Sequence, residues 1–361
     1  MATAASVAPP GALAYHRRVT VATTGLATDL RFRAHAPPGA HPERPERLVA
    51  IEQVLEASGL AARATRVPVR LGRKEELLRV HHVAYLDSLE RALAAPDGGW
   101  LDPDTYFSPG SWEAALLAAG ASVDLAEAVL DRRLDNGLAL VRPPGHHAGP
   151  DHAMGFCLLN NIAVAAAALS ARGARVAVCD FDVHHGNGTQ DIFYADPRVL
   201  FASTHQFPYY PGTGALEERG AGSGLGATVN VPLPAGAGDD ALLAAWSQVM
   251  RPALERFRPD IILASAGFDA HRADPLAEMQ VSEAGFAAVT RGLLEASDGR
   301  LVLLLEGGYD LRSLSASVAA VMKVLLGDAV PPPPAAPLGE LERQTLERAG
   351  RSLAALPVPA P

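Results

Sequence analysis

Apolar positions along this chain follow two rhythms: short unbroken runs and longer stretches with helical spacing. The runs Gly137–Val141, Ala174–Cys179, Ile261–Ala266 and Leu301–Leu305 lack the alternation of a half-exposed strand. They read as strands of a parallel sheet buried on both faces. Residues 46–57 and 111–130 carry helical spacing, with Ser111 as a plausible N-cap. The Ala-rich run Ile162–Arg172 reads as a helix closed by Gly173. The Thr-rich stretch 19–24 reads as a first strand. Strand and helix signals then alternate to about residue 327 with no linker-like composition, which predicts one α/β domain with a mainly parallel central sheet flanked by helices. Residues 1–14 are expected to be disordered and 15–328 to form the main domain. In 329–361 a break at Pro331–Pro334 precedes a tail helix with Leu338, Leu341, Leu346, Ala349, Leu353 and Leu356 at helical spacing. That helix is expected to pack on the body or on another subunit. The Gly- and Pro-rich loops 96–110 and 205–226 are long enough to suggest a pocket rim.

The ends of the four runs carry the candidate chemistry. They lead into His146-His147, Asp180-Phe181-Asp182-Val183-His184, Asp269 and Glu306-Gly307-Gly308-Tyr309. A parallel sheet brings such ends to one edge, where ligands of open α/β sheets bind. Asp182 and His184 are two apart, so an extended backbone would point both to one side. Taken alone, that segment divides evenly between a metal half-site and a capped turn. Asp269 adds a third ligand, and an N/O set of three with an open position fits catalytic zinc, with other divalent metals possible.

Composition narrows the setting. The net charge is −9 with no Lys or Arg block, which argues against nucleic acid as a direct ligand. The two cysteines, Cys157 and Cys179, do not make a disulfide framework, so a reducing cytoplasm is the expected compartment. No apolar run is long enough for a bilayer, and the start does not read as a secretory signal.

His146-His147, Gly155-Phe156-Cys157, Asp180–Gly188, Ser265–Asp269 and Glu306–Tyr309 together resemble the zinc-dependent histone deacetylases, closest to class II and the bacterial histone deacetylase-like amidohydrolases. His41–Leu48 and Pro211–Gly214 resemble two further motifs of that family, and the likeness spans roughly residues 35–328. It implies an arginase/deacetylase-like fold and hydrolysis of an acyl-lysine amide in proteins or peptides. It implies one zinc on Asp182, His184 and Asp269. His146 would pair with Asp180 and His147 with Asn187, where class I enzymes carry Asp. We assign His147 as base and then acid, His146 as its electrostatic partner, and Tyr309 as donor to the oxyanion; the sequence does not fix the division between the histidines. Phe156 would form one tunnel wall and Tyr209 or Tyr210 the other. Gly155 would offer a carbonyl to the substrate, Gly307 would allow close backbone approach, and Asp104, with Asp102 competing, would bind substrate backbone.

The resemblance also implies potassium. One site would use Asp180, Asp182, His184, Ser203 and Thr204, and a second the carbonyls of Phe193, Asp196, Val199 and Ala227. Three rivals stand beside the deacylase reading. An arginase-like dimetal site lacks its extra carboxylates, since Gly186 and His271 stand where two are expected. An acetylpolyamine amidohydrolase shares the chemistry but would carry Glu at the gatekeeper position, here Leu276. An inactive acyl-lysine reader would not need the intact His pair and Tyr309. The expected partners are acylated lysine or a small acylated amine, with neither nucleic acid nor membrane, and a homo-oligomer is possible.

Overall fold

The structure is a computed structural model that describes residues 22–357. The stretch expected to be disordered, 1–14, lies outside the described residues, as does the first half of the expected strand at 19–24. The strands are β1 (Thr24–Ala27), β2 (Thr65–Arg66), β3 (Gly99–Trp100), β4 (Tyr106–Phe107), β5 (Asn136–Ala139), β6 (Val176–Asp180), β7 (Val199–Gln206), β8 (Thr228–Leu233), β9 (Ile261–Ala266) and β10 (Leu301–Leu305). Among the described residues, eight of them form one sheet in the order β2-β1-β5-β10-β9-β6-β7-β8. Every neighbouring pair is parallel. β3 and β4 form a separate antiparallel pair inside the loop 96–110.

The unbroken apolar runs follow from this arrangement. Strands β6, β9 and β10 are buried at every position because helices cover the sheet. Helices Ser111–Leu130 and Asn161–Ser170 pack on each other and on the strands, while Glu46–Ala57, Glu283–Ala296 and Leu311–Leu325 form a second packed group. The chain lays down β1, β2 and β5 on one side and β6 to β8 on the other. It then returns to insert β9 and β10 between them.

Two local expectations are corrected. Among the described residues the first strand begins at Thr24, where pairing with Asn136 of β5 starts; Thr23 N–H instead donates to the Asp135 carboxylate at 2.7 Å. Ser111 is the first residue of its helix, and Gly110 occupies the cap. The Ser111 hydroxyl is buried against His35 Nδ1, 2.7 Å away, and accepts from Ser108 N–H at 2.8 Å. The tail helix, Glu340–Ala355, packs on the body. It buries Leu346, Ala349 and Leu353 against edge strand β8 and the helices beside it. Arg256 holds its end by donating to the Leu353 and Leu356 carbonyls. A covered edge strand is not free to pair with another chain.

Candidate active site

The four strands singled out by sequence are neighbours, β5-β10-β9-β6, so their carboxyl ends form one continuous stretch of sheet edge. Asp180 closes β6, and the chain then turns sharply through residues 181–186. This is not the extended backbone expected for Asp182 and His184. Asp182 Oδ1 accepts the His184 N–H at 2.9 Å, a turn that folds both side chains to one point. The capped-turn reading and the ligand reading therefore describe the same residues. His184 Nδ1 lies 3.1 Å from Asp182 Oδ1 and 3.3 Å from Asp269 Oδ2. Ligand atoms of Asp182, His184 and Asp269 all lie within 4.8 Å of one another, and all three residues are buried.

Two further observations bear on whether this set suits a cation. Asp269 Oδ2 is buried with no hydrogen-bond donor, and an unpaired buried carboxylate oxygen is costly unless a cation answers it. Gly307 leaves the cradle open, since a Cβ there would collide with the carboxylates of Asp269 and Asp182. The Gly307 N–H donates to Asp182 Oδ2 at 2.9 Å, and Val183 N–H to Asp269 Oδ1 at 2.9 Å, which leaves Asp269 Oδ2 as the open oxygen of the set. Gly307 thus sits against the ligands rather than among the pocket walls. The donor set and its open cradle fit a divalent metal with N/O preference.

The two histidines sit in opposite environments. His146 Nδ1 is 3.0 Å from Asp180 Oδ2, whereas His147 Nδ1 is 2.8 Å from the neutral Asn187 Oδ1. Burial alone would lower both. At His146 the charges of Asp180 and Asp182 overcome it and raise the pKa to about 10. At His147 burial is joined by the positive charge of His146, and the pKa falls well below the ordinary value. Opposite shifts thus fall on two neighbouring rings, their centroids 4.0 Å apart.

A pocket of ≈ 210 Å³ opens onto His147, His184 and Tyr309, with Asp104, Gly155, Phe156, Tyr209, Tyr210 and Leu276 completing its walls. Both tyrosines left open by sequence therefore belong to it. The Tyr209 ring stacks on His184 and its hydroxyl donates to the Leu276 carbonyl. Tyr210 stands edge-on to His147 at 5.3 Å. Asp102 instead accepts from Asp104 N–H and Thr105 N–H and shapes the hairpin turn. Burial, then the Asp269 charge, pushes the Tyr309 phenol well above its usual range, so it remains a donor.

Several supporting residues had no assigned role at the level of sequence. Glu306 Oε2 accepts the N–H groups of Gly145 and His146, at 2.6 and 3.2 Å, and so anchors the His-His loop. Arg47, within the 41–48 motif, donates to the Gly308 and Glu306 carbonyls and lies 5.0 Å from the Tyr309 ring. Asp274 accepts from Tyr309 N–H at 2.7 Å and Leu276 N–H at 3.0 Å, tying two walls together. The signal for Arg47 was present in its motif; Asp274 carried none.

A histone deacetylase domain profile matches residues 41–325. The chain belongs to the histone deacetylase family. It is 46% identical to Histone deacetylase 15 of Arabidopsis thaliana over 306 residues, covering 82% of this chain but only 54% of that protein. It is 45% identical to the Histone deacetylase-like amidohydrolase of Pseudomonas aeruginosa over 302 residues, covering 81% and 79% of the two chains. To a Probable deacetylase of Archaeoglobus fulgidus it is 41% identical over 295 residues, covering 80% and 82%. The crystal structure of the HDA15 HD domain superposes with a TM-score of 0.87 at 42% identity, covering 92% of this chain and 94% of that one. This histone deacetylase family chain is thus a hydrolase of the family's mainly parallel fold. Among its described residues no helix is long and apolar enough to cross a membrane.

The residues named for potassium are placed as follows in this family member. β6 and β7 pair Asp180 with Ser203, and the Ser203 hydroxyl lies 2.9 Å from His205 Nδ1. Thr204 follows on β7. In the second set, the Phe193 carbonyl accepts from Asp196 N–H and the Ala227 carbonyl from Phe201 N–H, with Val199 opening β7.

Proposed function

We propose that this chain is a zinc-dependent deacylase acting on N-epsilon-acetyl-lysine, or a related acyl-lysine, in peptides or proteins. The observation that supports it best is a pocket walled by Phe156, Tyr209, Tyr210 and Leu276 that reaches His184, which is grouped with Asp182 and Asp269 behind it. Apolar walls suit an unbranched aliphatic chain, and the floor suits its terminal amide.

Asp182, His184 and Asp269 would hold the metal, which when bound polarises the amide carbonyl and acidifies the attacking water. His147, kept neutral, takes the water's proton and later delivers it to the leaving amine. His146, charged against Asp180, stabilises negative charge as it develops. Tyr309 donates to the tetrahedral oxyanion. Phe156 with Tyr209 and Tyr210 would sandwich the lysine chain, and the Gly155 carbonyl and Asp104 would hold substrate amides. A potassium ion near Asp180 and Ser203 belongs to the same proposal, as does a cytoplasmic setting.

Leu276 favours acyl-lysine over acetylpolyamine, because it gives a cationic amine no counter-charge at that point of the wall. The test compares hydrolysis of a fluorogenic acetyl-lysine peptide and of acetylspermidine by zinc-loaded protein. Higher kcat/KM on the peptide is expected. Preference for acetylspermidine would overturn the substrate reading, and no hydrolysis of either would return the acyl-lysine reader to the front.

A further inference from the structure

An asparagine beside a catalytic histidine has a weakness that an aspartate lacks. Its side chain has an accepting end and a donating end of nearly the same shape. With Oδ1 facing His147 Nδ1, that nitrogen must carry the proton, and the neutral ring keeps a lone pair on Nε2, the nitrogen available to take a proton. With the amide turned over, Nδ2 would donate to Nδ1. The proton would then sit on Nε2, and His147 would be unable to act as base. Charge does not choose between these states, because Asn187 is neutral. Something else must hold the amide.

In the structure Asn187 Oδ1 lies 2.8 Å from His147 Nδ1, and Nδ2 donates to the thioether of Met154 at 3.3 Å. A thioether sulfur accepts weakly and cannot donate. Turning the amide over would bring oxygen against sulfur with no hydrogen between them. The Met154 backbone is held in place. Its backbone exchanges hydrogen bonds with Cys157, N–H to carbonyl at 3.2 Å and carbonyl to N–H at 2.9 Å. The two residues between them, Gly155 and Phe156, both have positive φ, +56° and +69°, which makes the connection a tight two-residue turn. That turn also presents Phe156 to the pocket. The Asn187 side chain is itself nearly buried, with 7% of the residue exposed, so bulk water does not compete for its amide.

We infer that Met154 is a positioning residue: its sulfur fixes the orientation of the Asn187 amide, and through it the His147 tautomer with Nε2 free to accept a proton. The inference rests on the proposed role of His147 as base, but its central claim is a tautomer, which is measurable without turnover. The predicted wild-type state is a protonated Nδ1 and an unprotonated Nε2.

The experiment is ¹⁵N imidazole NMR on histidine-labelled full-length protein, with His147 identified from a His147→Ala control, alongside steady-state kinetics. In wild type the His147 Nδ1 shift should be that of a protonated nitrogen and the Nε2 shift that of a bare one. Met154→Leu keeps similar bulk and removes the acceptor. It should move both shifts toward a mixture and lower kcat on acetyl-lysine peptide by about threefold to tenfold, part of the contribution of a general base, with KM little changed. Asn187→Asp replaces the amide by two equivalent acceptors. In that background the same Met154→Leu change should leave kcat where Asn187→Asp alone set it. A protonated Nε2 in wild type, or unmoved shifts in Met154→Leu, would overturn the inference. So would an equal loss of kcat in both backgrounds, because that is what lost packing would produce. If wild type has the predicted tautomer but hydrolyses no acyl-lysine, the functional reading fails and the positioning role of Met154 stands.

Discussion

Two clusters of buried charge lie near one another, and they are built on opposite principles. In the first, Glu43 meets Arg142 and Arg47, all fully buried. Arg142 also donates to the Phe32 and His35 carbonyls, and Arg47 to those of Gly308 and Glu306. Tyr106 completes Glu43 with a hydrogen bond of 2.7 Å. Burial pushes the Glu43 carboxyl up, but the Arg142 charge and hydrogen bonds pull it well below the usual carboxylate range. In the second cluster Asp180, Asp182, Asp269 and Glu306 share His146 and His184, and oxygens of Asp269 and Glu306 have no donor. The first is satisfied from within and serves stability. The second leaves acceptor atoms open, and three of its residues, Asp182, His184 and Asp269, are placed so that they could hold a cation.

The same chemical change should therefore have opposite effects in the two. Glu43→Gln leaves two buried guanidinium groups without their counter-charge and should cost about 3–5 kcal/mol in denaturant unfolding, the scale for breaking a buried pair. Protein that still folds should bind zinc. Asp269→Asn should leave the metal-free chain about as stable as wild type, since it removes one of the two carboxylates, Asp182 and Asp269, crowded on His184, while abolishing tight zinc binding. In wild type one zinc per chain should bind and raise Tm, as any ligand of the native state does. A Glu43→Gln chain of wild-type stability, or an Asp269→Asn chain that retains one tight zinc, would erase the contrast.

Next in size is Tyr309→Phe, which touches neither cluster's charge. In the proposed mechanism it removes the donor to the oxyanion, so kcat should fall about 10²-fold or more with stability and zinc content kept. Unchanged turnover would take Tyr309 out of the mechanism. Smaller again is Leu276→Glu, which adds an unpaired carboxylate to the pocket wall. The kcat/KM ratio of acetylspermidine to acetyl-lysine peptide should rise about tenfold, the factor carried by 1.4 kcal/mol. An unmoved ratio would mean that Leu276 is packing alone.

The contrast also explains what could be read from sequence. The open cluster was legible because its residues punctuate the ends of apolar runs. A sheet whose neighbours are parallel gathers such ends without needing long-range contacts to be known. The closed cluster was legible only in part, through the 41–48 motif that holds Glu43 and Arg47. Arg142 stands 99 positions from Glu43, and an Arg in a loop reads as an exposed charge until the fold buries it. Asp274 and Met154 were missed for a related reason. Their roles depend on single backbone or side-chain contacts, with Tyr309 and Asn187 respectively, that no periodicity announces. Ser111 was misread because a Ser at a helix start signals a cap, and here a glycine with φ of +96° occupies that position.

The last effect, which leaves activity aside, concerns a histidine in neither cluster. His81 is buried between a donor and an acceptor: its Nδ1 lies 3.0 Å from the Gly149 carbonyl and its Nε2 3.0 Å from Asn160 N–H. Nδ1 must therefore donate while Nε2 accepts, which only the neutral ring can do. Protonation would set Nε2–H against the Asn160 N–H. Burial, outweighing the Gly149 and Pro150 backbone, lowers the pKa to about 4 from an ordinary value of 6.5. Between those values the unfolded chain binds a proton at this position and the folded chain does not. Stability should accordingly fall as pH drops from about 6.5 toward 4, by up to about 1.4 kcal/mol per pH unit for one such group, and this share of the loss ends below 4, where both states are protonated. His35 and His205, lowered to about 3 and about 4, add contributions of the same sign. His81→Gln removes one titrating ring. The variant should be less stable than wild type at pH 8, because a tailored contact is lost, yet its stability should decline less steeply between pH 6.5 and 4. Urea unfolding of both proteins across that range separates the offset from the slope. Parallel curves would show that His81 is protonated equally in the folded and unfolded chains, and that the contacts of Gly149 and Asn160 do not hold the ring neutral.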